Sequence, residues 1–181
     1  MPIKYRNMTS LYDITIPTLI KVLRTENSLL EKAEAFAIEN GIPISDLLLA
    51  RLREDMFPLT KQIGVTAMLT NKILQRITGQ ELPAVELKEN LTLEECHSLI
   101  NKTLDILAEI KPEEVNGKEY EIAQANLSPT RVTNAKTIEY VLRFGIPSVY
   151  FHFTTMYGIL RMKGVPLAKI DYLTYFVDGL F

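Results

Sequence analysis

The chain holds one cysteine, Cys96, and two histidines, His97 and His152. A single cysteine closes no intrachain disulfide and cannot build a zinc knuckle. That usage suits a reducing compartment, and a cytoplasmic protein is expected. Catalytic zinc takes three protein ligands and leaves a fourth position open. The two histidines stand far apart, and the residues four before and four after His152 are Ser148 and Met156. No spacing argues for a metal site, so neither a metal nor another cofactor is expected. Glycine and proline are also scarce, 8 and 9 of 181 residues. Together they fall below the average usage of about 7% and 5%. This excludes a collagen repeat and argues against disorder or a turn-rich β-sandwich.

Neither sign of charge dominates. Twenty Lys and Arg face 22 Asp and Glu, for a net charge of −2. Without a basic field, neither nucleic acid nor an anionic membrane surface has an electrostatic claim on the chain. No uninterrupted apolar stretch precedes Asp13, so no secretory signal is expected. The longest uncharged run, residues 144–160, is broken by Gly145, Pro147, Ser148, His152, Thr154 and Thr155. It is short and polar for a membrane span and reads as a buried helix. There is no Gly-rich phosphate loop, no Ser-x-x-Lys, no Gly-x-Ser-x-Gly and no kinase-like signature.

What is present is helical periodicity over one domain, residues 1–181, large enough for a sizeable core. Apolar residues recur at helical spacing from about residue 9 to 40, with Thr9 or Ser10 as cap and Asn40-Gly41 as stop. Pro17 marks a first turn or a kink in it. Ser45 or Asp46 opens a short helix that continues through Leu52 and ends before Pro58. Leu59, Ile63, Ala67, Leu74 and Ile77 form the stripe of a third segment that Gly79 ends. After a loop over residues 80–91, Thr92 and Glu95 form a capping box. The helix it opens carries Leu93, His97, Ile100, Leu104 and Leu107 and ends near Pro112. Residues 113–136 are polar and predict a short hairpin or an irregular crossover. A last long helix spans about 137–163, with a kink at Pro147. The apolar tail through Phe181 must pack on its own chain or on a partner. The pattern predicts an all-α fold: a four-helix bundle with a short extra helix between the first two long ones and a crossover or small hairpin before the last.

Few residues invite chemistry. On a helix, Ser148, His152 and Thr155 share one face, a narrow polar stripe in an apolar segment. Buried polar groups need hydrogen bonds, so this stripe requires side-chain, water or ligand partners. A core histidine held by internal hydrogen bonds is the plain reading of His152; a pocket residue is the functional one. His97 reads as a structural histidine, because neighbours i and i+1 on a helix diverge and leave Cys96 out of reach. Asp55 reads as a cap for the helix after Pro58. Gln62 reads as a boundary residue or a pocket hydrogen-bonder. Arg161 and Lys163 suit a helix C-terminus.

Three stretches together resemble one subfamily of the DinB/YfiT-like superfamily, the domain of unknown function numbered nineteen-ninety-three. The first is Ala50-Arg51-Leu52 with Asp55-Met56-Phe57-Pro58-Leu59 and Gln62. The second is Arg76-Ile77-Thr78-Gly79-Gln80-Glu81-Leu82-Pro83. The third, and the most specific, runs from Pro147 through Tyr150-Phe151-His152-Phe153-Thr154-Thr155 and Tyr157 to Lys169-Ile170-Asp171-Tyr172-Leu173. The resemblance covers nearly the whole chain. It implies a DinB-like four-helix bundle and a homodimer. Many relatives hold a divalent metal with three histidines, one from the second long helix and two from the last, and some use it in transfer or hydrolase chemistry. Here the last helix offers only His152 and residues 59–78 offer none, so that triad does not carry over.

Two functions remain. In the first, the chain is a small-molecule-binding or interaction protein without the metal site, its ligand held between the second and fourth long helices by Asp55, Gln62, His152, Thr155 and Tyr157. In the second, it is a transferase or hydrolase that works through a metal or through His152 as base.

Overall fold

Helix α1 (Leu11–Glu39) starts where Ser10 can satisfy it. The Ser10 hydroxyl accepts from the Asp13 amide at 3.1 Å, and the Asp13 carboxylate accepts from the Ser10 amide at 3.0 Å. Such reciprocal caps supply partners for amides that have none inside the helix. Pro17 falls inside α1, and the helix carries through it. Gly41, at φ 63°, turns the chain away. The short α2 (Ile44–Leu48) ends before residue 52, earlier than the apolar run predicts. The computed structural model describes residues 9–128 and 130–180. The stretch read for a secretory signal, residues 1–8, and the end of the apolar tail, Phe181, lie outside them.

Helix α3 (Leu59–Thr78) is buried along most of its length and closes at Gly79, whose φ of 78° suits a residue without Cβ. Asp55 does not cap it. The capping position is Pro58, which makes no side-chain cap hydrogen bond, and Asp55 lies exposed in the preceding turn. Helix α4 (Leu93–Glu109) has the capping box expected of Thr92 and Glu95. A short α5 (Pro112–Val115) follows. The polar stretch contains a hairpin of β1 (Ile122–Ser128) and β2 (Arg131–Lys136), antiparallel, with its register interrupted between Asn126 and Ser128. The fold is thus mostly helical with a small two-stranded sheet.

One continuous run follows the hairpin: α6 (Thr137–Tyr140), a π-helical segment (Val141–Gly145) and α7 (Ile146–Met162). The expected disturbance near Pro147 is this π segment, placed just before the proline. Pro147 has no N–H to give to the carbonyl four residues back. The turn widens there, and the Ile146 amide reaches the Val141 carbonyl five residues back. A short α8 (Lys169–Leu173) lies against α1, where Lys32 pairs with Asp171.

The core lies where α3 packs on α7 and α4, and α1 packs on α4 and α7. Leu19, Leu23, Leu30, Ile63, Leu74, Phe153 and Met156 are wholly buried in it. The apolar tail adds Tyr172, stacked on Phe153 at 4.3 Å, and Phe176. Gly145 sets how closely the π segment approaches α3. A Cβ there would stand 2.9 Å from Cγ1 of Ile73. Gly145→Val should therefore overpack this contact and lower stability by about 1–3 kcal/mol. Urea denaturation measures it, and unchanged stability would mean that the two helices tolerate separation here.

Candidate functional site

Gln62 lies in the second turn of α3 with its side chain buried against α7. Its Nε2 donates to the Phe57 carbonyl at 2.9 Å. That bond fixes which end of the amide faces α7, because only the nitrogen can donate. Oε1 is left toward His152 of α7, whose Nδ1 lies 2.7 Å away. Nδ1 must then carry the hydrogen and donate to Oε1. The neutral ring holds its lone pair on Nε2, which has no protein partner among the described residues. Burial holds the His152 pKa below its ordinary value, so the ring is neutral at pH 7. Gln62 thus selects the tautomer and the orientation, and burial selects the charge.

Beside this pair opens a cleft of about 660 Å³. Val65, Leu69 and Lys72 of α3 form one wall. Phe144, Ser148 and His152 form a second, and Asn126 to Ser128 with Val132 of the hairpin form a third. The cleft therefore presents an apolar body with a few polar points: one neutral imidazole nitrogen, two serine hydroxyls, an amide and an ammonium.

The other residues singled out in the sequence lie elsewhere. Thr155 is buried and donates to the Phe151 carbonyl of its own helix at 2.7 Å. Tyr157 is half-buried, its ring edge-on to Tyr172 at 5.7 Å. Asp55 is exposed and lines a separate cavity with Arg51, Leu52, Arg53 and Glu54. Of the five candidates only Gln62 and His152 meet. His97 is half-buried, with Nδ1 2.9 Å from Oδ1 of Asn27, and Asn27 in turn donates to Asn101 at 2.8 Å. Cys96 is buried and its thiol is pushed up to about 12, chiefly by burial. Such a thiol supplies no thiolate near neutrality.

One buried titratable group escaped the sequence reading. Glu26 of α1 is wholly buried, and neither carboxyl oxygen has a hydrogen-bond partner among the described residues. Burial lifts its pKa to about 8, with the Thr66 hydroxyl opposing the shift. The signal was in the sequence: Glu26 follows Val22 and Leu23 and precedes Leu29 and Leu30 at helical spacing, inside the apolar stripe.

The comparisons enter on this geometry. Residues 11–173 match the family described as Domain of unknown function (DUF1993). The chain belongs to the DUF1993 family. It is also similar to the crystal structure of a DinB family member protein from Shewanella denitrificans, at 33% identity and a TM-score of 0.80. The match covers 90% of this chain and 91% of that one. No curated protein matches it. Where α3 meets α7, the histidine nitrogen without a protein partner among the described residues is His152 Nε2. Gln62 Oε1 and His152 Nδ1 are engaged with each other, and one turn beyond His152 stands the buried thioether of Met156. Among the described residues no group of three or more His, Cys, Asp or Glu is arranged to hold a metal. No described helix is long and apolar enough to cross a membrane.

Glu26 makes stability depend on pH with a definite sign. The folded chain keeps this proton up to about pH 8, whereas an unfolded chain releases it near the ordinary glutamate value. The contribution is therefore full below the unfolded pKa and is lost as pH rises through about 8. Glu26→Gln copies the protonated form. It should flatten the decline between pH 5 and pH 9, leaving the variant more stable than the parent at the alkaline end by on the order of a few kcal/mol. Denaturant midpoints across that range measure it, and parallel curves would mean that Glu26 is ionised in the fold.

Proposed function

We propose that this DUF1993 chain is a DinB-type four-helix bundle that binds a small organic molecule in the cleft between α3, α7 and the hairpin, without a metal. The observation that carries the proposal is the His152–Gln62 pair. A half-buried neutral imidazole, locked in one tautomer by an amide that is itself anchored, presents an unpartnered Nε2 beside a cleft. The size supports the reading, since ligand pockets run from about 300 to 1,000 Å³. So does the mixture of apolar wall and sparse polar points.

The bare Nε2 also favours a second reading, in which His152 takes a proton from a bound substrate. A neutral histidine with its Nδ1–H held by an acceptor is suited to that role. It differs from the first reading in requiring turnover of the bound molecule. Thermal-shift screening with a metabolite library, followed by mass analysis of each stabilising compound after incubation, separates the two. Unchanged ligand supports binding alone, and converted ligand supports the base. Stabilisation that persists in His152→Phe overturns both.

Gln62→Leu provides the structural check. It leaves the Phe57 carbonyl and the His152 Nδ1–H without partners and should cost about 1–3 kcal/mol. Nitrogen NMR of the imidazole should show a single Nδ1–H tautomer in the parent chain and a mixture in the variant. An unchanged spectrum would mean that Gln62 does not orient the ring.

A further inference from the structure

The charges around the cleft are one-sided. Lys72 lines it and also lines an adjoining cavity of about 330 Å³, so this lysine stands where the two meet, together with Asn126. Arg76 follows one turn later on α3 and lines the second cavity. Among the described residues no acidic side chain lines either space, although the chain as a whole carries more acids than bases. A cationic junction free of carboxylates, on an acidic protein, is a local departure that a ligand's charge would explain.

The two cations differ in freedom. Arg76 donates to the Gln124 carbonyl at 3.2 Å and to the Ala135 carbonyl, and its guanidinium lies over Tyr140 at 5.5 Å. It is anchored to the hairpin and lends only its field. Lys72 is exposed and makes no ion pair among the described residues. One ammonium free to turn onto a ligand balances one negative charge, as a single carboxylate carries. Val65, Leu69 and Phe144 call for an apolar body. His152 Nε2, a pure acceptor in this tautomer, calls for a hydroxyl or an amide N–H on that body.

We infer that the cleft takes an apolar monocarboxylate bearing a hydrogen-bond donor, its carboxylate at Lys72, its body against Val65, Leu69 and Phe144, and its donor on His152 Nε2. This rests on the ligand-binding reading above and adds the class of ligand. The functional consequence is selection by charge: neutral analogues of the same shape bind more weakly.

Calorimetric titration with 3-(4-hydroxyphenyl)propionate, 3-(4-hydroxyphenyl)propionamide and phenylpropionate tests it on the full chain. The three share an aromatic body; the amide lacks the charge and phenylpropionate lacks the hydroxyl. The hydroxy acid should bind saturably at millimolar concentration or below, and the other two roughly tenfold more weakly, the size of one charged or polar hydrogen bond. Lys72→Gln, at an exposed position that leaves the core intact, should erase the difference between acid and amide while keeping the hydroxyl preference. His152→Phe should do the reverse. Equal binding of acid and amide by the parent chain overturns the ligand class and leaves the binding reading standing. A preference for the acid that survives Lys72→Gln removes Lys72 from the proposal and overturns it as stated. No saturable binding by any of the three, with no shift of the His152 ring resonances, overturns the class and the cleft together.

Discussion

A polar group taken out of water must find a partner inside the protein, and α3 brings many such groups into the interior. Thr60, Gln62, Thr66, Thr70, Asn71 and Thr78 are all buried on it. Where partners are found, they are largely backbone carbonyls. Thr60 donates to Glu89 at 2.6 Å and Asn71 to Pro83 at 3.1 Å, which draws the loop between α3 and α4 along the helix. Gln62 holds the turn before α3 through Phe57 and reaches α7 through His152. Arg76 gathers the two strands of the hairpin. Packing places α3 at the centre, and hydrogen bonding from its side chains arranges the irregular segments around it.

The local signals of the helices were readable because they act within a few residues. Ser10 with Asp13 and Thr92 with Glu95 close their boxes as their spacing requires, and Gly79 ends α3. Asp55 failed as a cap because Pro58 takes the capping position and leaves the acid in solvent. The widened turn at Val141–Gly145 combines two causes, the missing amide of Pro147 and the close approach of Ile73 to Gly145. Only the first is local, which is why a kink was expected and a π segment is found. Gln62 and His152 were expected in one cleft with Asp55, Thr155 and Tyr157, without a bond between them. Their meeting joins residues 90 positions apart, and no periodicity encodes which polar residue of one helix faces which of another. Glu26 is the opposite case: its place inside an apolar stripe was visible, and its acid side chain drew attention away from the stripe.

Membership of the DUF1993 family and likeness to a DinB structure describe a scaffold, and a scaffold does not dictate chemistry. Where α3 meets α7 this chain joins a histidine to a glutamine. That bond leaves the imidazole a hydrogen-bond acceptor of defined orientation.

The hairpin is fastened by Arg76 to the carbonyls of Gln124 and Ala135, and carbonyls are common to every residue type. The outer wall of the cleft is therefore held in place independently of the side chains it displays. Exposed Asn126, Ser128 and Val132 take no part in that clasp, while Leu127 packs on the core, so the hairpin is a faceplate fastened from behind. A change at those three exposed positions would alter the wall facing Val65 and Phe144 and leave both fastened carbonyls in place.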